Sequence, residues 1–77
     1  MDMRALVGQN VARLRKRQGL TQEQLANTSG FSQQYLSDLE RGLRNPTIVS
    51  VYELAQALGA SHLDLLRAPR RKSSRAR

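Results

Sequence analysis

Apolar residues recur along this chain at intervals of three and four positions, which is the spacing of one face of an α-helix. The first such segment runs from about Arg4 to Gln18. A later segment, which starts after Thr47, repeats the spacing and ends before Gly59. The positions predicted to face inward are Leu6, Val7, Val11 and Leu14 in the first, and Ile48, Val51, Leu54, Ala55 and Leu58 in the later one. Because β-branched runs with strict alternation are missing, the chain is predicted to be all-α.

Capping residues and glycines mark where the helices begin and end. Thr21-Gln22-Glu23-Gln24 has the form of a capping box, and Gly30 fits the end of the helix that it begins. Other helix starts are predicted at Ser32, Thr47 and at Ser61 with Asp64, and other helix ends at Gly19, Gly42, Gly59 and Leu66. These signals predict five helices in a domain of residues 1–68. Residues 69–77 are polar and basic, and they are predicted to form a disordered tail.

The net charge of +7 is unevenly distributed along the chain. Residues 1–66 hold seven basic and six acidic residues, whereas residues 67–77 hold six basic residues and no acidic one. The predicted domain is therefore nearly neutral. The tail either neutralises nucleic-acid phosphates without sequence preference or serves only as a solubilising end.

The inventory of reactive residues argues against an enzyme. The chain has no cysteine and one histidine, His62, and it lacks a glycine-rich phosphate loop. We therefore expect no catalytic residue, metal site or cofactor.

The apolar runs are far shorter than the ~20 residues that span a bilayer. No signal peptide is recognisable at the N-terminus, and a cytoplasmic protein without membrane contact is expected.

The spacing around the second and third helices carries the most information. Counted from Gln22, an alanine is fifth (Ala26), a glycine is ninth (Gly30), and leucines are fifteenth and eighteenth (Leu36 and Leu39). The alanine allows close helix packing, the glycine allows a left-handed turn, and the leucines anchor the third helix. This is the spacing of a helix-turn-helix motif, whose second helix projects from the domain.

A longer string of residues extends this motif over roughly residues 9–66. It comprises Leu14-Arg15, Gly19-Leu20-Thr21-Gln22, Leu25-Ala26, Gly30, Ser32, Tyr35-Leu36-Ser37, Leu39-Glu40-Arg41-Gly42, Arg44-Asn45-Pro46-Thr47 and Leu54-Ala55-x-Ala57-Leu58-Gly59. The chain thereby resembles the lambda-repressor-like helix-turn-helix domains of the XRE and Cro–C1 type. The resemblance implies a five-helix domain that binds double-stranded DNA.

The resemblance places the first turn of the third helix against base edges in the major groove. A glutamine amide presents one donor and one acceptor, which match N6 and N7 of adenine. The expected base contacts are Gln33, Gln34, Ser37 and Asp38. The alternative is that Gln33 and Gln34 are polar residues of a solvated helix start.

Phosphate contacts are expected beside this helix. Gln22 lies at the start of the second helix, where backbone N–H groups and the helix dipole favour an anion. The alternative for Gln22 is ordinary capping polarity, and for Tyr35 it is packing. The full set of expected phosphate contacts is Gln22, Tyr35, Arg41, Arg44 and Asn45.

The resemblance also pairs Glu40 with Arg15 in a structural ion pair, with a phosphate contact from Arg15 as a secondary role. Removing one partner of such a pair costs about 3–5 kcal/mol, because the other charge stays buried. The alternative is two independent surface charges.

Two functions compete at this level. The first is a sequence-specific transcription regulator that acts as a homodimer, because one small domain reads few bases and two half-sites supply the missing specificity. Candidate dimer contacts are Val49, Tyr52, Leu63 and Leu66. The second is an antitoxin that binds a toxin and its own operator. The tail, the one segment available to fold on such a partner, lacks apolar residues, which argues against it.

Overall fold

A computed structural model describes residues 2–68, which form five helices and no strand. The helices are α1 (Met3–Arg17), α2 (Gln22–Ser29), α3 (Gln33–Glu40), α4 (Ile48–Leu58) and α5 (His62–Leu66). The predicted all-α, five-helix fold is confirmed. The predicted disordered tail, residues 69–77, lies outside the described residues. Within residues 2–68, each helix is too short or too polar to cross a membrane.

A side-chain oxygen caps the N-terminus of each of these helices. In α2, Thr21 Oγ1 accepts from the backbone N–H of Gln24 at 3.0 Å, and the Gln24 side chain accepts from the backbone N–H of Thr21 at 2.8 Å. Ser32, Thr47 and Ser61 cap α3, α4 and α5 as predicted, and Asp2 caps α1, which the sequence reading missed. Because a cap of this kind contributes ~1 kcal/mol, these residues help to fix where the short helices begin.

The core lies between α1 and the other helices. α1 packs against α3 and α5, α2 packs against α3 and α4, and α4 packs against α5. Each helix contributes at least one fully buried aliphatic side chain, and these are Val11, Leu25, Leu36, Leu39, Leu54, Leu58 and Leu65. With leucines on both α2 and α3 in the core, the turn between these helices is held in one geometry.

One predicted core position is wrong. Ile48 was expected to face inward with Val51 and Ala55, but 73% of its surface is exposed. Ile48 is the first residue of α4, and a helical side chain leans towards the N-terminus of its helix. Its side chain is therefore directed past the N-terminus of α4, although its position fits the helical spacing of the apolar residues.

Asn10 is a fully buried polar residue that the apolar pattern did not indicate. Its side-chain amide donates to the backbone carbonyls of Leu65 and Arg67, each at 2.9 Å. Its carbonyl oxygen accepts from Arg13 Nη2 at 2.9 Å. These bonds satisfy the buried amide and attach α1 to the end of α5, where free helix carbonyls need donors.

Gly8 of α1 lies directly against the backbone of α3. A Cβ atom at this position would lie 2.2 Å from the carbonyl oxygen of Leu39 and 3.0 Å from that of Glu40. A glycine in a helix interior otherwise weakens the helix, so its presence is explained by this backbone contact. The contact sets how close the C-terminal end of α3 lies to α1.

We predict that Gly8→Ala destabilises the protein by about 1–3 kcal/mol, since the added methyl group collides with the backbone of α3. At an open helical site the same change would stabilise by up to about 1 kcal/mol, so the sign is diagnostic. Urea unfolding followed by circular dichroism measures it. Gln9→Ala, at the exposed next position of α1, is the control and should shift stability by less than about 0.5 kcal/mol. An unchanged or higher midpoint for Gly8→Ala would contradict the collision.

Candidate DNA-contacting surface

The turn between α2 and α3 presents α3 to solvent. Gly30 adopts a left-handed conformation, with φ of +85°, and its N–H donates to the carbonyl of Ala26 at 2.9 Å. Leu36 and Leu39 are fully buried, which anchors one side of α3. The opposite side of α3 faces solvent. On this side Gln33 and Gln34, in the first turn, are exposed and Ser37 is half-buried.

Arg15 and Glu40 form a bidentate ion pair between α1 and α3. Arg15 Nε donates to Glu40 Oε2 at 2.7 Å, and Nη2 donates to Oε1 at 2.9 Å. The side chains are only 11% and 8% exposed. Arg15 Nη1 also donates to the carbonyl of Leu20 at 2.8 Å, so each nitrogen of the guanidinium has a partner. The hydrogen bonds to Glu40 raise the pKa of Arg15 above its ordinary value, although burial acts in the opposite direction.

Gln22 joins this ion pair. Its side-chain amide donates to Glu40 Oε1 at 3.0 Å, which ties the first residue of α2 to the last residue of α3. An amide nitrogen carries two N–H groups, so this bond leaves a second donor for another acceptor. The sequence motif placed Gln22 at the start of α2 but gave no signal of its contact with Glu40.

Asp38 is the centre of a second polar cluster, on α3 and the loop that follows. Gln34 Nε2 donates to Asp38 Oδ1 at 3.0 Å. Arg41 Nη1 lies 3.9 Å from the same oxygen, and Arg44 Nε lies 3.7 Å from Oδ2. The Asp38 side chain is 21% exposed, whereas those of Arg41 and Arg44 are 66% and 47% exposed. Both carboxylate oxygens therefore already have cationic or amide partners from this chain.

Tyr35 extends the cluster on its other side. Its ring stacks on Phe31, with ring centres 5.0 Å apart and planes 16° apart. The guanidinium carbon of Arg44 lies 5.1 Å from the centre of the Tyr35 ring, a cation–π distance. Asn45, the next residue, is exposed. These contacts hold the loop after α3 beside the first turns of α3.

The structure thus brings most of the predicted DNA-contacting residues into two networks. One is the Glu40 network, which consists of Arg15, Gln22 and Glu40. The other is the Asp38 network, which consists of Gln34, Asp38, Arg41, Arg44 and Tyr35. Gln33 and Asn45 are exposed near them in the chain. Sequence reasoning selected these residues individually and missed that Asp38 contacts three side chains of the set.

A separate apolar surface lies on α4 and α5. Its exposed members are Ile48, Val49, Tyr52 and Leu63, each more than half exposed. Leu66 is half-buried and packs against the core. A groove of about 300 Å³ between the helices is lined by Ile48, Val49, Val51, Tyr52, His62 and Leu66. Sequence reasoning selected four residues of this surface but missed Ile48, which it had assigned to the core.

A helix-turn-helix family model (HTH_3) matches residues 11–66, which span α2 to α5 and the C-terminal half of α1. An uncharacterized HTH-type transcriptional regulator, y4dJ of Sinorhizobium fredii, is 68% identical over 66 residues, which are 86% of each chain. The restriction-modification controller protein C.AhdI of Aeromonas hydrophila superposes with a TM-score of 0.77 at 39% identity, over 80% of this chain and 94% of that one. SinR, a master regulator for biofilm formation solved in complex with DNA, superposes with a TM-score of 0.75 at 34% identity, over 79% and 98% of the two chains.

The fold, the projecting α3 and these similarities define a class of protein: a DNA-binding transcription regulator, not an enzyme. The chain belongs to the helix-turn-helix family of the XRE and Cro–C1 type, so the resemblance found in the sequence is confirmed.

We predict that Glu40→Ala destabilises the protein by about 3–5 kcal/mol, because it leaves the Arg15 guanidinium buried without its carboxylate and frees Gln22. The same substitution at Glu53, which is exposed on α4, is the control and should change stability by less than about 0.5 kcal/mol. Chemical unfolding of both variants measures the difference. Equal unfolding midpoints would show that the Arg15–Glu40 pair contributes no more than a surface charge.

Proposed function

We propose that this protein is a sequence-specific transcription regulator that binds DNA as a homodimer and reads the major groove with α3. The observation that carries the proposal is the exposed first turn of α3, with Gln33 and Gln34, on a helix that is fixed from behind by Leu36 and Leu39. A rigid helix with outward amides is suited to base readout, since the positions of its donors and acceptors are set before DNA binds.

Gln33, Gln34 and Ser37 are the proposed base-reading residues. Gln33 and Gln34 are exposed in the first turn of α3, where side chains reach base edges in helix-turn-helix complexes. Each amide offers the donor and acceptor that adenine displays in the major groove. Ser37 lies one turn further along α3, and its hydroxyl donates or accepts as the base requires.

The proposed phosphate contacts flank α3 on both sides. On one side, the N-terminus of α2 offers backbone N–H groups, and Gln22 adds its second N–H to the same acceptor. On the other side, Arg41, Arg44 and Asn45 are exposed, with Tyr35 beneath Arg44. Contacts on both sides of the reading helix would fix its orientation in the groove, which is the usual role of phosphate contacts. The similarity to SinR, solved in complex with DNA, supports DNA binding by a domain of this fold.

The apolar surface on α4 and α5 is the proposed dimer contact. It comprises Ile48, Val49, Tyr52, Leu63 and Leu66. Burial of such a cluster of exposed apolar side chains is favourable, and in a symmetric dimer the same surface of the second protomer would cover it. Two α3 helices related by a two-fold axis would then meet major-groove segments one turn apart, ~34 Å.

Selection of bound duplexes from a randomised DNA pool tests the proposal. Near-physiological salt is required, because contacts to phosphates alone weaken steeply as salt rises. We expect enrichment of an inverted repeat whose half-sites are one helical turn apart. Salt-sensitive binding without enrichment of any sequence would refute sequence-specific readout.

On the enriched site, we predict that Gln33→Ala and Gln34→Ala each weaken binding by about 1–3 kcal/mol and relax the base preference at one position. Titration of the cognate duplex and of single-base variants by fluorescence anisotropy measures both effects. Gln9→Ala, the same substitution at an exposed site on α1, is the matched control and should leave affinity unchanged. Equal losses on cognate and unrelated duplexes would contradict base readout.

For the dimer, we predict that Ile48→Asp weakens self-association at least about tenfold, ~1.4 kcal/mol, because it buries a charge in the apolar contact. The variant should fold, since an acid at the first position of α4 interacts favourably with the helix dipole. Sedimentation equilibrium of the protein without DNA measures the association. Leu43→Asp makes the same chemical change at an exposed leucine outside this surface and is the control. If both variants associate like the unmodified protein, the dimer uses another surface.

A further inference from the structure

Asp38 lies among the side chains that would have to reach DNA, yet it carries the wrong charge for that partner. We propose that Asp38 is a specificity-determining residue that competes with DNA phosphates for Arg41 and Arg44 while it orients the base-reading amide of Gln34. This inference rests on the proposed function. It assigns Asp38 a role within the protein in place of the base contact expected from the sequence.

The geometry supports competition because the carboxylate has two exposed cationic neighbours. Arg41 Nη1 lies 3.9 Å from Oδ1 and Arg44 Nε lies 3.7 Å from Oδ2. These are ion pairs longer than a direct hydrogen bond, and both arginines are mostly or half in solvent. Exposed pairs of this kind are weak, so a well-placed phosphate can take over either arginine. In the absence of a phosphate, the Asp38 carboxylate holds both arginine side chains close to α3.

The same carboxylate restrains Gln34. Gln34 Nε2 donates to Asp38 Oδ1 at 3.0 Å across one helical turn. This bond occupies one N–H of the amide and leaves the other N–H and the carbonyl oxygen, the donor and acceptor that adenine requires. Asp38 therefore limits the rotamers of a reading side chain, in addition to holding the arginines.

Together these contacts favour selective over unselective binding. Two arginines and one aspartate present a net charge of +1 to DNA, whereas the arginines alone would present +2. A loosely bound, unrelated duplex depends almost wholly on such charge, but a cognate duplex also gains base contacts through Gln34. Asp38 therefore lowers affinity for unrelated sequences more than affinity for the preferred one.

Asp38→Asn is the decisive substitution, because an asparagine carbonyl still accepts from Gln34 while the negative charge is lost. Binding to an unrelated duplex should become tighter, and the slope of log affinity against log salt should steepen by ~0.9, the value for one more neutralised phosphate. Between 50 and 200 mM salt, the variant should therefore lose ~3.5-fold more affinity than the unmodified protein. Affinity for the selected site should rise less than affinity for the unrelated duplex, so the preference for the selected site should fall.

Asp64→Asn is the matched control, since it makes the same change of charge at an (i, i+3) pair. Asp64 Oδ1, on α5, lies 3.4 Å from Nη2 of Arg67, the residue that follows this helix, and both residues lie outside the Asp38 network. If total charge alone governed binding, the two variants would steepen the salt slope equally. Competition at Asp38 predicts a clearly larger change for Asp38→Asn, with circular dichroism showing both variants folded. Equal slopes for the two variants would overturn the proposal.

A double-mutant cycle with Arg44→Gln tests whether the freed arginine is the cause. Arg44→Gln should weaken binding to the unrelated duplex more in the Asp38→Asn background than in the unmodified protein, because Asp38 no longer holds the side chain back. Additive effects would overturn the competition. A loss of affinity confined to the selected site in Asp38→Asn would also overturn it. The unrelated-duplex measurements need no preferred site, so a failed selection refutes the proposed function separately from this inference.

Discussion

The carboxylate of Glu40 connects the three segments whose relative positions define the projecting helix. It receives two hydrogen bonds from Arg15 on α1 and one from Gln22 at the start of α2, while its own backbone ends α3. A buried ion pair gains little net stability, because both charges must leave water. Here the hydrogen bonds satisfy the guanidinium and both carboxylate oxygens, so breaking the pair would leave charges with no alternative partner. The pair therefore acts chiefly by excluding other arrangements of α1, α2 and α3.

Gly8 supplies the steric counterpart of this electrostatic link. The 2.2 Å separation between a hypothetical Cβ at Gly8 and the Leu39 carbonyl means that a larger residue would force α3 away from α1. Such a movement would lengthen the Arg15–Glu40 hydrogen bonds, which are at 2.7 and 2.9 Å. The backbone contact and the ion pair thus depend on the same distance between α1 and α3. The orientation of α3 follows from both.

Apart from the Asp2 cap of α1, sequence reasoning succeeded where the signal is local. The caps at Thr21, Ser32, Thr47 and Ser61 and the left-handed Gly30 depend on residues a few positions apart, so pattern alone located the helices. It failed where the neighbour is distant or the helix ends. Ile48 fits the helical spacing of the apolar residues, but it is the first residue of α4 and its side chain has no helix to pack against.

Two of the residues that sequence reasoning missed, Asn10 and Gly8, depend on partners far along the chain. Asn10 bonds to carbonyls 55 and 57 residues away, and Gly8 is explained only by the backbone of α3. No periodicity encodes such contacts. At the candidate site, the motif selected the residues, but the contacts of Asp38 with Gln34, Arg41 and Arg44 depend on side-chain conformations that spacing does not specify.

Glu40 and Asp38 show how burial divides two carboxylates of one short helix between different roles. Glu40 is 8% exposed and holds Arg15 by direct hydrogen bonds, so no phosphate can displace it without leaving a charge buried. The Asp38 side chain is 21% exposed, and its arginines lie further away and are 66% and 47% exposed, so exchange for a phosphate costs little. The inner carboxylate therefore sets the position of α3. The outer one, in the role proposed for it, adjusts how strongly the arginines beside α3 attract DNA, and a carboxylate as buried as that of Glu40 would be unsuited to that task.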